Sequence, residues 1–190
     1  MHSNSNMNQQ YPSKPPHAPV QQPAPQSAPM TPVQPVEDYS KTQIQLYLGS
    51  AIQFKQRVSS GKKGLLTVYV EIAPFKQGQN RVGDWARSIK FQLTPDTETV
   101  QFAHLLMGRL PGVDFKFHGE DRSKSLKANW NEDGTLFLGI NEGKNRSFVK
   151  MPPTAIFAVM TLTIKVIAQR HGINTSSALE MLRMMPPATA

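Results

Sequence analysis

The residues best suited to chemistry lie in SLKANWNEDGTLFLGINEGKNRSFVKM, positions 125–151. Read at the period of two that a β-strand imposes, one parity carries Leu126, Ala128, Trp130, Leu136, Leu138 and Ile140. The other parity carries Lys127, Asn129, Phe137, Arg146, Phe148 and Lys150. An ordinary half-buried sheet needs only one apolar face, and its outer face can be any polar mixture. Here two aromatics stand among cations and an amide. Cations track phosphates, aromatic rings stack on bases, and an amide hydrogen-bonds a base edge. Duplexes hide their base faces, so exposed aromatics favour a single strand.

The first half of the chain repeats the pattern. QIQLYLGSAIQFKQRV (43–58) alternates, with Tyr47, Lys55 and Arg57 on the polar parity. LLTVYVEIAPF (65–75) presents Tyr69, and WARSIKFQL (85–93) presents Lys90. A turn at 59–64 adds Lys62 and Lys63. The candidate phosphate contacts are therefore Lys55, Arg57, Lys62, Lys63, Lys90, Lys127, Arg146 and Lys150. The candidate stacking residues are Tyr47, Tyr69, Phe137 and Phe148, and Asn129 is the candidate polar base contact. Trp85 and Trp130 fall on the inward parity and are expected in the core.

Other chemistries are poorly served. GINEGKN (139–145) lacks the spacing of a phosphate loop and leads into a strand rather than a helix. His104, His118 and His171 have no metal-like spacing. His104 reads as a polar position on its helix, and His171 as a cation near a helix C-terminus. Asp96 and Glu98 suit the positive end of a helix better than paired catalytic work. No nucleophile, base and orienting group come together, so the chain is expected to be no enzyme, with no metal and no cofactor.

These residues must be positioned by a small set of elements. The period predicts one long, bent strand over 43–58 with its bend at Gly49 and Ser50, then strands at 65–75 and 85–93. TPDTETVQFAHLLMGRL (94–110) changes to helical spacing, with Thr94 as N-cap, Pro95 at the first helical position and Pro111-Gly112 ending it. A strand at 113–117 places Val113, Phe115 and Phe117 inward. Three more follow around Asp133-Gly134 and a second turn. A helix at 153–171 opens with proline, is apolar nearly all round, and is followed by a short amphipathic helix at 176–185. The fold class is α+β: two consecutive antiparallel strand-meander-plus-helix units, 43–110 and 113–172, in one domain spanning 41–175, with 176–190 as a C-terminal helix and tail.

Residues 1–40 hold nine of the sixteen prolines and are otherwise mostly Gln, Ser, Asn and Ala. That composition cannot offset the entropy of ordering, so a disordered tail is expected, acting as a tether or as a docking ligand for a protein partner. It has no apolar run of secretory type and no arginine of presequence type. The chain has no cysteine, which excludes disulfides and thiolate zinc sites. Its net charge is +8; the tail contributes −1, so +9 falls on the rest. A basic body of this size points to a polyanionic partner.

The element order resembles the Whirly fold, related to the positive-cofactor-four type of single-stranded-DNA-binding module. GKKGLL (61–66) stands where that family carries a KGKAAL-like segment, and the resemblance covers about residues 43–172. It implies a homotetramer with helices at the centre and single strands along the sheets. The resulting expectation is a sequence-tolerant single-stranded-DNA-binding protein of replication, recombination or repair. It would be cytoplasmic and nucleoid-associated, from a bacterium or mobile element, with no membrane association. Two alternatives stand beside it. One is an RNA-binding protein of the same fold, as in guide-RNA-binding proteins; the other is an assembly protein using its sheet faces as protein interfaces.

Overall fold

The computed structural model describes residues 43–62, 64–79 and 81–187. The expected disordered tail at 1–40 and Lys63 lie outside the described residues. Four strands, β1 (Gln43–Tyr47), β2 (Ala51–Val58), β3 (Leu66–Ala73) and β4 (Ile89–Gln92), form one antiparallel sheet in chain order. Helix α1 (Glu98–Leu106) follows. A second antiparallel sheet, again in chain order, contains β5 (Gly112–His118), β6 (Lys124–Trp130), β7 (Leu136–Glu142) and β8 (Asn145–Met151). Helices α2 (Pro153–Arg170) and α3 (Thr175–Met184) complete the described chain. The fold is α+β, two strand meanders each followed by helix, as the periodicity implied.

The apolar parity of each strand supplies one shared core. Ile52, Phe54, Val70, Ile72 and Phe91 of the first sheet cluster with Leu126, Leu138, Ile140 and Val149 of the second. Phe102 and Leu105 of α1 and Ile156, Val159 and Leu162 of α2 close the cluster. Each large apolar side chain so buried contributes roughly 1.5–3 kcal/mol. Both helices lie on this inner side, which leaves the opposite face of each sheet uncovered by helix. Polar ties lock the layers together: Gln56 bonds Gln169 across β2 and α2 at 2.7 Å, and the Arg170 guanidinium donates to the carbonyls of Leu66 and Pro95. Helix α3 packs behind α2 through Ala178 and Leu182.

Four local expectations are corrected. Residues 43–58 are a hairpin rather than one bent strand: Tyr47 faces Ala51, and Leu48 N–H donates to Ser50 O at 3.0 Å. The loop preserves parity, so the alternation looked continuous. Helix α1 begins at Glu98, not Pro95. Glu98 carboxylate accepts the Thr94 N–H at 2.8 Å, and the residues between form a turn. It ends at Leu106, before Gly108 at φ 71°, rather than at Pro111.

Trp85 does not lie on a strand. Asp84 N–H donates to Pro74 O and Arg87 N–H to Asp84 O, drawing Trp85–Arg87 into a single 3-10 turn. Phe117 is not buried. The register slips between Phe115 and His118, and Phe117 takes φ 64° and stands 73% exposed. Such a bulge inserts one residue and re-aims the side chains beyond it. His118 turns inward instead, its ring 4.2 Å from that of Phe91 and its Nε2 2.7 Å from Glu98 Oε1.

Candidate nucleic-acid interface

Antiparallel register places the second sheet's outer residues in three rows. Asn129, Phe137 and Lys150 form one; Lys127, Gly139 and Phe148 the next; Ser125, Asn141 and Arg146 the third. Phe148 is 63% exposed and Phe137 half-buried, their rings stacked with centroids 5.8 Å apart and 29° between planes. Gly139 makes room for the pair. A Cβ there would meet Phe137 Cζ at 3.2 Å and Phe148 Cβ at 3.6 Å. All six predicted residues of this sheet share one face, and Asn129 is half-buried on it.

Their charges are not equally available. Lys150 Nζ sits 2.6 Å from Asp133 Oδ2, and that bond, with those from Thr135, lowers the Asp133 carboxyl to about 2. Lys127 and Arg146 are exposed and have no carboxylate partner among the described residues.

The first sheet's outer face is different. One row reads Gln45, Gln53, Glu71, Lys90 across four strands; the next reads Gln43, Lys55, Tyr69, Gln92. Glu71 is only 5% exposed. It accepts hydrogen bonds from Gln53 Nε2 and Ser88 Oγ at 2.5 Å each, and Lys55 Nζ lies 3.3 Å away. Lys55, predicted to hold phosphate, is thus engaged by Glu71. Burial raises the Tyr69 hydroxyl pKa above its ordinary value, and the Glu71 carboxylate adds to the shift. Tyr47 is exposed at the far end of the sheet. Arg57 and Lys90 are exposed and unpaired among the described residues. Lys62 pairs with Asp96 at 2.6 Å, an exposed bond that lowers the Asp96 carboxyl and that a phosphate can replace.

Sequence reasoning missed several residues. Trp85 lines the cleft over Tyr69, Glu71 and Lys90. Arg87 and Lys144, beside the predicted Arg146, line a cleft of about 600 Å³ between the Trp85–Arg87 turn and the β7–β8 hairpin. His118 and Lys124, with the predicted Lys62 and Lys90, line another of about 460 Å³. Gly83-Asp84 was the one available signal, since it marks a turn before Trp85. His104, read as a polar helix position, is buried, and burial with the nearby Arg109 lowers its pKa. Trp130, expected in the core, is half-buried, with its indole N–H donating to Leu105 O at 2.9 Å.

No protein-family model matches the chain. No curated protein matches it either. Two solved structures share its fold. Trypanosoma brucei MRP1/MRP2 superposes with a TM-score of 0.51 at 13% identity, over 69% of this chain and 85% of that one. A guide-RNA-binding protein complex bound to a guide RNA superposes with a TM-score of 0.50 at 12% identity, over 69% and 91%. These matches overturn the assignment to the single-stranded-DNA-binding Whirly and positive-cofactor-four family: the solved structures that share the fold are MRP1/MRP2 and a guide-RNA-binding protein complex. Element order carried that assignment, and one architecture serves several ligands.

Proposed function

We propose that this chain is a non-enzymatic RNA-binding protein that holds single strands across the outer faces of its two sheets, and that it works as an assembly of several protein chains. The observation that carries the reading is the stacked Phe137–Phe148 pair, with Phe148 63% exposed and Lys127 and Arg146 beside it without carboxylate partners among the described residues. An apolar ring costs less when covered, and a base covers it without demanding a particular identity. The flanking cations hold the backbone on either side. The matched fold adds support, because a guide-RNA-binding protein complex bound to a guide RNA shares it over 69% of this chain.

The test is a titration of the full chain with a fluorescent 30-mer RNA, the same sequence as single-stranded DNA, and the RNA duplex, at two salt concentrations. Binding through about 4–6 phosphates gives a log–log salt slope of about −3 to −4 on single strands. Tight, salt-sensitive binding to single-stranded RNA with weak duplex binding is the expected result. Preference for the DNA strand would overturn the RNA assignment. Equal binding to the duplex would remove the base platform, and no binding at low salt would leave the sheets as protein interfaces.

A further inference from the structure

The first sheet's outer face holds a cleft of about 650 Å³, walled by Trp85 and Tyr69 and floored by Gln53 and Glu71. Its rim carries Arg57 and Lys90. Nothing in this floor suits a phosphate. Glu71 is a carboxylate whose two oxygens already accept from Gln53, Ser88 and Lys55. A second anion placed against it would be repelled, and Lys55, the nearest cation, is already engaged. Phosphates therefore belong at the rim.

The floor does suit a neutral ligand with a hydrogen-bonding edge. Glu71 fixes the buried Gln53 amide by accepting one of its N–H groups at 2.5 Å, and Gln53 lines the cleft. A held amide offers an acceptor and a second donor at set positions, which is the pattern that reads a base edge. Gln45, next in the same row and exposed, adds another amide. The Trp85 wall is itself fixed. A Cβ at Gly83 would meet Ala51 Cβ at 2.7 Å and Trp85 Cε2 at 2.9 Å, so the indole sits tightly on Gly83 and the sheet.

We infer that this cleft is a nucleobase pocket: one base stacks on Trp85 with its polar edge toward Gln53 and Gln45, giving the protein a base preference that the second sheet lacks. The inference rests on the proposed binding of single-stranded RNA. The second sheet offers rings and cations and tolerates any base; the first offers hydrogen bonds and discriminates. Glu71 is a positioning residue, acting through Gln53.

The experiment is a competition of 12-mer oligo-A, oligo-C and oligo-U RNA against the full chain, repeated with Trp85→Leu, Gln45→Ala and Phe148→Ala. The wild type is expected to bind one of the three about tenfold more tightly than another, the size of discrimination one well-placed amide gives. Trp85→Leu and Gln45→Ala should shrink that ratio. Phe148→Ala should weaken all three alike and preserve it. Glu71→Gln, which frees Lys55 for phosphate, should lower the ratio and steepen the salt slope by about 0.7. Equal wild-type affinities, or a Trp85→Leu loss shared evenly by all three, would overturn the pocket while leaving the single-strand reading intact. No binding of any RNA would overturn both.

Discussion

The rings of Phe137 and Phe148 stack 5.8 Å apart on neighbouring strands, and Gly139, cross-strand neighbour of Phe148, leaves the space that Phe137 fills. A Cβ at 139, 3.2 Å from Phe137 Cζ, would force that ring to shift by a few tenths of an ångström. The pair is thus built by three residues, one of which contributes only its absence of bulk.

Removing a ring should cost binding without costing the fold. Phe148→Ala is expected to weaken RNA affinity roughly 5- to 150-fold, the value of one stacked base. Because Phe148 is 63% exposed, its melting temperature should stay within about 1–2 °C of wild type. A fluorescence titration and a thermal melt on the same sample check both halves. A large drop in stability with intact binding would make the ring structural.

Gly139→Val tests the seat itself. The nearest atoms are the far end of the Phe137 ring, which can swing away, so the chain should fold. RNA affinity should fall by an amount similar to Phe137→Ala, at unchanged charge and an unchanged salt slope. A normal affinity would mean the ring's position is immaterial.

The cations should divide by pairing. Lys127→Ala and Arg146→Ala are each expected to reduce the magnitude of the salt slope by about 0.7, since each neutralises one phosphate on a single strand. Lys150→Ala should do less, because Lys150 must first leave Asp133, 2.6 Å away. Asp133→Asn should make Lys150 behave like the other two. Slopes measured over three salt concentrations decide this.

Phe117 holds a left-handed backbone, φ 64°, that costs an L-residue roughly 1–2 kcal/mol, while glycine adopts it freely. With its ring 73% exposed, little packing is lost on removal. Phe117→Gly is therefore expected to raise stability by about 0.5–1 kcal/mol after allowing for glycine's greater unfolded-state entropy. Denaturant melts measure it, and a destabilised variant would show that the ring packs on something.

Acid should weaken the fold through His104. Its pKa is lowered in the folded chain by burial and by Arg109, so the unfolded chain binds the proton more readily. Stability is then complete above the ordinary histidine pKa of about 6.5 and falls as pH drops below it. His104→Gln should flatten the stability profile between about pH 5 and 7. An unchanged profile would assign the acid sensitivity to other groups.

Much of this was written in the residue order. Alternation over 65–75 and 125–151 determines which side chains share a face, because a strand's period admits no other assignment once one face is apolar. Lys127, Phe137, Arg146, Phe148 and Lys150 were found together for that reason. The two helical stretches were legible from their spacing, although α1, Glu98–Leu106, is shorter at both ends than its flanking prolines implied.

What periodicity cannot carry is anything that depends on a partner distant in sequence. The slip at Phe117 exists only in the pairing with β6, so an inward parity became an exposed ring. Trp85 kept the parity of β4 on paper, yet hydrogen bonds from Asp84 to Pro74 and from Arg87 to Asp84 took it out of the strand. Lys55 looked like a free cation until β2 met β3 and set it beside Glu71. The sequence by itself determined the two meanders, their helices and the polar faces, all of which follow from local period and composition. The tertiary structure alone decided which cations are free and which aromatics are exposed, because ion pairs, bulges and clefts are made between elements and have no local code.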